Sequence, residues 1–168
     1  MMKKQTALRV AMLAALAAGF GHPSRVLAAN GDGNGFVRSE VTFALDTNII
    51  NGCYVGENVH ILGKGVLHIL TRVKSDGTVE VKELDRFSGE GIGDTSGAQY
   101  QFNELAHIDT SLGPNPDGTP FSYLERRRQR LIGLGQAPDQ FITYYIQLVI
   151  DGADNVTVDI FDFNLECN

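Results

Sequence analysis

Beyond residue 35 the chain alternates apolar and polar side chains with a period of two, the pattern of strands that bury one face. Val37, Val41, Phe43 and Leu45 share one parity and are opposed by Arg38, Glu40 and Thr42, which predicts a strand over 36–46. A second run over 57–74 places Val59, Ile61, Leu67, Ile69 and Val73 on one face, and Gly63 and Gly65 in its middle predict a bend or bulge. Ser75-Asp76-Gly77 is a hairpin turn signal that leads into a short strand at 78–85. Residues 86–97 (RFSGEGIGDTSG) are glycine-rich, yet no phosphate-loop spacing followed by a helical pattern accompanies them. They read as a tightly curved strand that ends in a turn from Asp94 to Gly97.

Alternation resumes over 98–108, where Ala98, Tyr100, Phe102, Ala106 and Ile108 share a face that also carries Glu104. Residues 110–120 contain three prolines and form the longest expected loop. The segment 121–133 (FSYLERRRQRLIG) contains good helix formers, but its length, its flanking glycine and the strands on either side favour a strand. Residues 139–151 carry Ile142, Tyr144, Ile146, Leu148 and Ile150 on one face, and their β-branched and aromatic content makes a strand. The final strand, 156–167, changes parity: Val156, Val158 and Ile160 are even, whereas Phe161, Phe163, Leu165 and Cys167 are odd. A one-residue bulge near Ile160-Phe161 would keep them all inward.

About eight strands joined mostly by short turns, with no amphipathic helix, define an all-β, antiparallel meander. Such a sheet must leave edges exposed or close on itself, so a β-barrel is the expected architecture, with a two-sheet β-sandwich as the alternative. Cys53 and Cys167 are the only cysteines. Their expected disulfide ties the last strand beside the segment that follows the first, as closure requires.

The leader supplies the oxidising compartment. Lys3, Lys4 and Arg9 precede an apolar run over 10–20, and small residues around Ala28 provide a cleavage site, so residues 1–29 are expected to be a signal peptide. The run is too short to span a bilayer, which takes about 20 apolar residues. Residues 30–35 (NGDGNG) read as a flexible lead-in, 36–168 as one domain, and the destination as secreted, extracellular or periplasmic. Loss of residues 1–29 takes the formal charge from −6 to −10. That sign favours solubility and argues against nucleic acid as a partner and against membrane insertion after cleavage.

Several spacings resemble a family of small secreted all-β proteins of unknown function. In the first half they are Asn51-Gly52-Cys53, Gly56 to Val59, Gly65 to His68, Gly89-x-Gly91-x-Gly93 and Ser96 to Tyr100. In the second they are Arg130-Leu131-Ile132-Gly133-x-Gly135, Pro138, Asp154 to Val158 and Glu166-Cys167. The resemblance implies secretion and the paired cysteines, and implies no activity. At the level of architecture alone, allene oxide cyclase, dirigent proteins and lipocalins are similar barrels.

Glu104 is the strongest chemical candidate: a carboxylate on an inward face beside Tyr100 and Phe102 would be desolvated. Its expected partner is Arg126, Arg128 or Arg130 on the following strand, and Tyr144 would add a hydroxyl to the same interior. The candidate ligand contacts are therefore Tyr100, Phe102, Glu104, Arg130 and Tyr144. No metal site is expected. His60 and His68 lie more than about 25 Å apart along one strand, and His107 lacks ligand-spaced partners. Asp32 and Asn34 make only a fragment of a calcium loop. No cofactor is implied, and no nucleophile has a base at motif spacing. Asn155-Val156-Thr157 is a glycosylation sequon. These features predict a secreted protein that binds a small, mostly apolar ligand in a barrel interior. The competing readings are a cyclase- or isomerase-like barrel enzyme and a solidly packed structural or interaction protein.

Overall fold

The computed structural model describes residues 25–28, 35–54, 56–114 and 120–168. Seven long strands follow one another as an antiparallel meander, with a short eighth on the outer edge of the first. They are β1 (Arg25–Ala28), β2 (Val37–Asn51), β3 (Glu57–Val73), β4 (Val79–Gly93), β5 (Gln99–Leu112), β6 (Phe121–Gly133), β7 (Gln140–Ile150) and β8 (Val156–Cys167). Strand order equals chain order in a single sheet, and the described residues contain no helix. β1 falls inside the expected leader; the rest of residues 1–29, and Asp32 and Asn34, lie outside the described residues.

One sheet, rather than two stacked ones, carries the core. The inner face collects Val41, Phe43 and Leu45 from β2, Val59, Ile61, Leu67 and Ile69 from β3, Val81 and Phe87 from β4, Tyr100 and Phe102 from β5, and Leu131 from β6. Glycines let this sheet curl. Gly63 on β3 faces Gly89 on β4, and a side chain on either would collide with the backbone of the other strand. The spaces in front of Gly65, Gly91 and Gly93 are taken by Phe43, by Ile61 with Val59, and by Glu57. Pairing runs unbroken through Gly63 and Gly65, so the middle of β3 bends without a bulge.

β4 does not stop at 85. It continues through the glycine-rich stretch to Gly93 and turns at Asp94–Gly97, where Gly97 takes a positive φ of 69°. β5 likewise extends to Leu112, shortening the expected loop, and β2 extends to Asn51. The segment 121–133 is a strand throughout. The bulge of the final hairpin sits elsewhere than expected: the register shifts at Val149/Ile150, where Ile150 pairs with Val156 and Thr157 is the extra residue. Phe161, Phe163 and Leu165 therefore share the inner parity, whereas Val158 and Ile160 face outward.

Closure is partial. No pairing returns from β8 to β1 or β2, so the sheet is rolled without being sealed. Its ends meet at one rim. Cys53 and Cys167 are joined with their Cα atoms 5.5 Å apart. The fully buried Gln140, first residue of β7, accepts from the Gly52 amide at 2.5 Å and donates to the Ile50 carbonyl at 3.1 Å. An odd number of long meandering strands makes β2 and β8 run in the same direction, so a seam between them would need parallel pairing in an otherwise antiparallel sheet.

Candidate functional site

The inner face is apolar at the bridged rim and polar at its centre. Register places Asp85, Ala106, Arg127 and Tyr144 in one row across β4 to β7. The row toward the bridged rim contributes Glu104 and Gln129, and the row on the other side contributes Glu83 and Glu125. Ala106, a small residue between Asp85 and Arg127, leaves room for a guanidinium on this face. Arg127 bridges two buried acids: Nη1 lies 2.9 Å from Glu104 Oε1, and Nη2 lies 2.7 Å from Glu125 Oε1, which Nε also reaches at 2.8 Å.

The remaining acceptor sites are satisfied by neighbours. Gln129 donates to Glu104 at 2.8 Å, Tyr123 donates to Glu125 at 2.6 Å, and Tyr144 donates to Glu125 at 3.1 Å beneath the Arg127 cation. Burying charges this way costs several kcal/mol per ion unless the geometry repays it, and shared charge-assisted hydrogen bonds are the geometry that does. Asp85 is the exception. It is 6% exposed and its Oδ1 has no hydrogen-bond partner.

Ionisation follows from this crowding. Burial, reinforced by the nearby Glu83, pushes the Asp85 carboxyl up to about 7; Arg127 opposes the shift, while Glu125 and Glu104 add to it. Burial also raises Glu83. For Arg127 burial works against the charge, but Glu104, Tyr144 and Glu125 outweigh it and hold the guanidinium ionised. Burial first, then the Glu125 carboxylate, keeps the Tyr123 phenol protonated; burial and Glu125 do the same for Tyr144 against the opposing pull of Arg127. The array thus presents one permanent cation, phenolic donors and one carboxyl that titrates near neutrality.

Of the residues singled out by sequence, Glu104 and Tyr144 meet in this array through Arg127 and Glu125. Tyr100 and Phe102 are buried core residues nearer the bridged rim. There Tyr100 donates to Glu57 at 3.2 Å, and Glu57 also accepts from the Ser96 and Thr95 amides. Burial opposes ionisation of Glu57, but these donors prevail and hold its carboxyl below the usual range. Arg130 is not in the array.

The expected pairing of Glu104 with Arg126, Arg128 or Arg130 is corrected by the parity of β6: Glu125, Arg127 and Leu131 face inward, and the other three arginines face out. Leu124 and Ile132, which share the parity of those three arginines, give that side the look of the apolar face. A buried Leu131, with Glu125 and Arg127 neutralising each other, decides the opposite parity. Asp85 and Glu83 were missed because the strand was ended at 85; extended to Phe87, the parity Val79-Val81-Glu83-Asp85-Phe87 displays two acids on an apolar face.

The histidines have other partners. His60 contacts Asp46 at 2.8 Å and His68 contacts Glu40 at 3.3 Å, both pairs on the outer face. Among the described residues no group of three metal-ligating side chains converges, and no helix is long and apolar enough to cross a membrane. Asn155 is exposed in the β7–β8 turn, where its amide donates to Asp151 at 3.0 Å. Comparison with protein-family models, with curated proteins and with solved structures finds no match.

Proposed function

We propose that the protein acts outside the cytoplasm as a carrier or receptor for a small, mostly apolar molecule, held against the inner face of an incomplete barrel. The observation that carries this reading is the juxtaposition of the Arg127 array with an uncovered apolar wall. Phe161, Phe163 and Leu165 on β8 are 66%, 50% and 39% exposed although they share the inner parity. A ligand with an apolar body and one hydrogen-bonding end would cover that wall and meet Tyr144 and Arg127 with its polar end.

In this reading the Cys53–Cys167 bridge is the clasp of the barrel and the β2–β8 seam its mouth. Cleavage after residue 29 would remove β1 and free the β2 edge, widening that mouth. The expected leader and the disulfide support an oxidising compartment. Native mass spectrometry of protein purified from its own host tests the proposal: a co-purifying small molecule, released on denaturation, is expected, and repeated recovery of empty protein would refute it.

A second reading, a cyclase- or isomerase-type enzyme, is favoured by Asp85 alone, since a carboxyl titrating near 7 suits general acid–base chemistry at neutral pH. Turnover of the co-purified molecule that disappears in Asp85→Asn while binding persists would select it.

A further inference from the structure

We propose that the outer face of the sheet holds an independent site, a shallow groove across β3 to β6 that binds a small soluble molecule carrying two or more phosphate groups. The three arginines turned outward by the parity of β6 are the starting point. Register aligns Lys64, Ser88, Asn103 and Arg130 in one row of the outer face and Val66, Arg86, Leu105 and Arg128 in the next. These eight residues line a groove of about 520 Å³; Phe87 and Glu104 also border it, but the Glu104 carboxylate is committed to Arg127 and Gln129.

Four cations thus ring a floor of two hydrogen-bonding side chains, Ser88 and Asn103, and two apolar ones, Val66 and Leu105. Lys64, Arg86, Arg128 and Arg130 are all exposed. Among the described residues no carboxylate forms an ion pair with any of them, although elsewhere on this face Glu40, Asp46, Glu80 and Asp109 each have a basic partner. Arg130 packs over the Phe141 ring at 5.9 Å, which holds its guanidinium over the sheet rather than in free solvent.

A protein of net charge −6 that gathers four unpaired cations at one spot concentrates a local field opposite to its own. Arg86 and Arg128 stand two strands apart, about 10 Å between backbones, and Lys64 and Arg130 three strands apart, about 14 Å. That span exceeds one phosphate and suits several on a compact scaffold, with arginine forks meeting the oxygens in pairs. The field is bounded on two sides, and on a third it continues into the row of His68, His107 and Arg126. Glu90 lies beyond Ser88 on β4, and Asp162 and Glu166 occupy the outer parity of β8. A polyanion running past the groove toward the bridged rim or toward β8 would meet carboxylates, which favours a small ligand over a long one.

Isothermal titration of the full chain with inositol hexakisphosphate, pyrophosphate, inorganic phosphate, citrate and heparin tests the assignment. The expected order is hexakisphosphate, then pyrophosphate, each at least tenfold tighter than inorganic phosphate. Arg86→Gln combined with Arg128→Gln should weaken hexakisphosphate binding at least tenfold with an unchanged melting temperature. Lys82→Gln, a cation outside the groove and near Asp109, should leave it unaltered. Failure of hexakisphosphate to bind at millimolar concentration, equal affinity in the double variant, or equal weakening by Lys82→Gln would overturn the site. Tighter binding of citrate would overturn the choice of phosphate, and tighter binding of heparin the choice of a small ligand.

Discussion

The two flanks of this sheet use the same strand geometry and reach opposite states of burial. Along the middle of β2 and most of β3 the inner residues are sealed: Val59, Ile61 and Ile69 have no exposed surface. On β8 the inner parity carries Phe161, Phe163 and Leu165, residues at least as apolar, and all remain open to solvent. Composition therefore does not explain the difference. The glycine pair Gly63 and Gly89 lets β3 and β4 curl tightly enough for the first flank to bury its own face, whereas β8, among the described strands, pairs with β7 alone. The first flank is held by burial. The second is held by its ladder to β7, by Gln140 and by the disulfide.

The bridge gives the sharpest test of that contrast. It closes a loop with a sequence separation of 114, for which the chain-entropy model gives about 4–5 kcal/mol at most. Replacing both cysteines by serine should lower denaturant stability by a large part of that figure. Amide exchange should accelerate first in β8 and β7 and last in β3; uniform acceleration would show that the two flanks are one cooperative unit.

Side-chain truncation comes next. Ile61→Ala should cost about 3 kcal/mol, because it empties a fully buried site. Phe161→Ala, which removes a larger but exposed side chain, should cost under about 1 kcal/mol in urea unfolding of ligand-free protein. Equal costs would mean that β8 is covered in solution.

Smaller than the loss of the bridge or of the Ile61 side chain is a pH dependence seated between the flanks. The folded Asp85 carboxyl titrates near 7, above the 3.8 of an ordinary aspartate, with Glu83, Glu104, Glu125 and Arg127 facing it. Between those values the folded protein keeps a proton that the unfolded chain has released. The stabilising contribution is full below pH 4 and is lost as pH rises through 7, a fall of about 2 kcal/mol between pH 5 and 7. Thermal unfolding should show that loss in the wild type and little of it in Asp85→Asn; an unchanged slope in the variant would place the titration elsewhere.

Much of the fold was legible in the sequence because strand formation is local. Alternation located β3, β6, β7 and β8 to within a residue or two, and only the two-state choice at 121–133 needed its flanks. Legibility failed where the signal depends on a neighbour. Strand ends at Asn51, Gly93 and Leu112 extend into polar or glycine-rich residues that are held only by pairing across the sheet. On β6 Leu124 and Ile132 gave one parity and Leu131 the other, and nothing within that strand decides between them. Glu104 was recognisable as an acid on an apolar face, but its partner Arg127 was not, since arginine on an inward face is stable only among carboxylates delivered by other strands.

By itself the sequence determined an all-β meander, the positions of its turns and the two cysteines available to bridge it, because periodicity, glycine geometry and residue identity are properties of the chain alone. Only the tertiary structure decided which face of β6 is buried, where the final bulge falls, that the Asp85 Oδ1 is left without a hydrogen bond near an arginine that holds two acids, and that the rolled sheet stops short of sealing. Each of these is set by contacts between strands rather than within one, where curvature and charge balance are summed over the whole sheet.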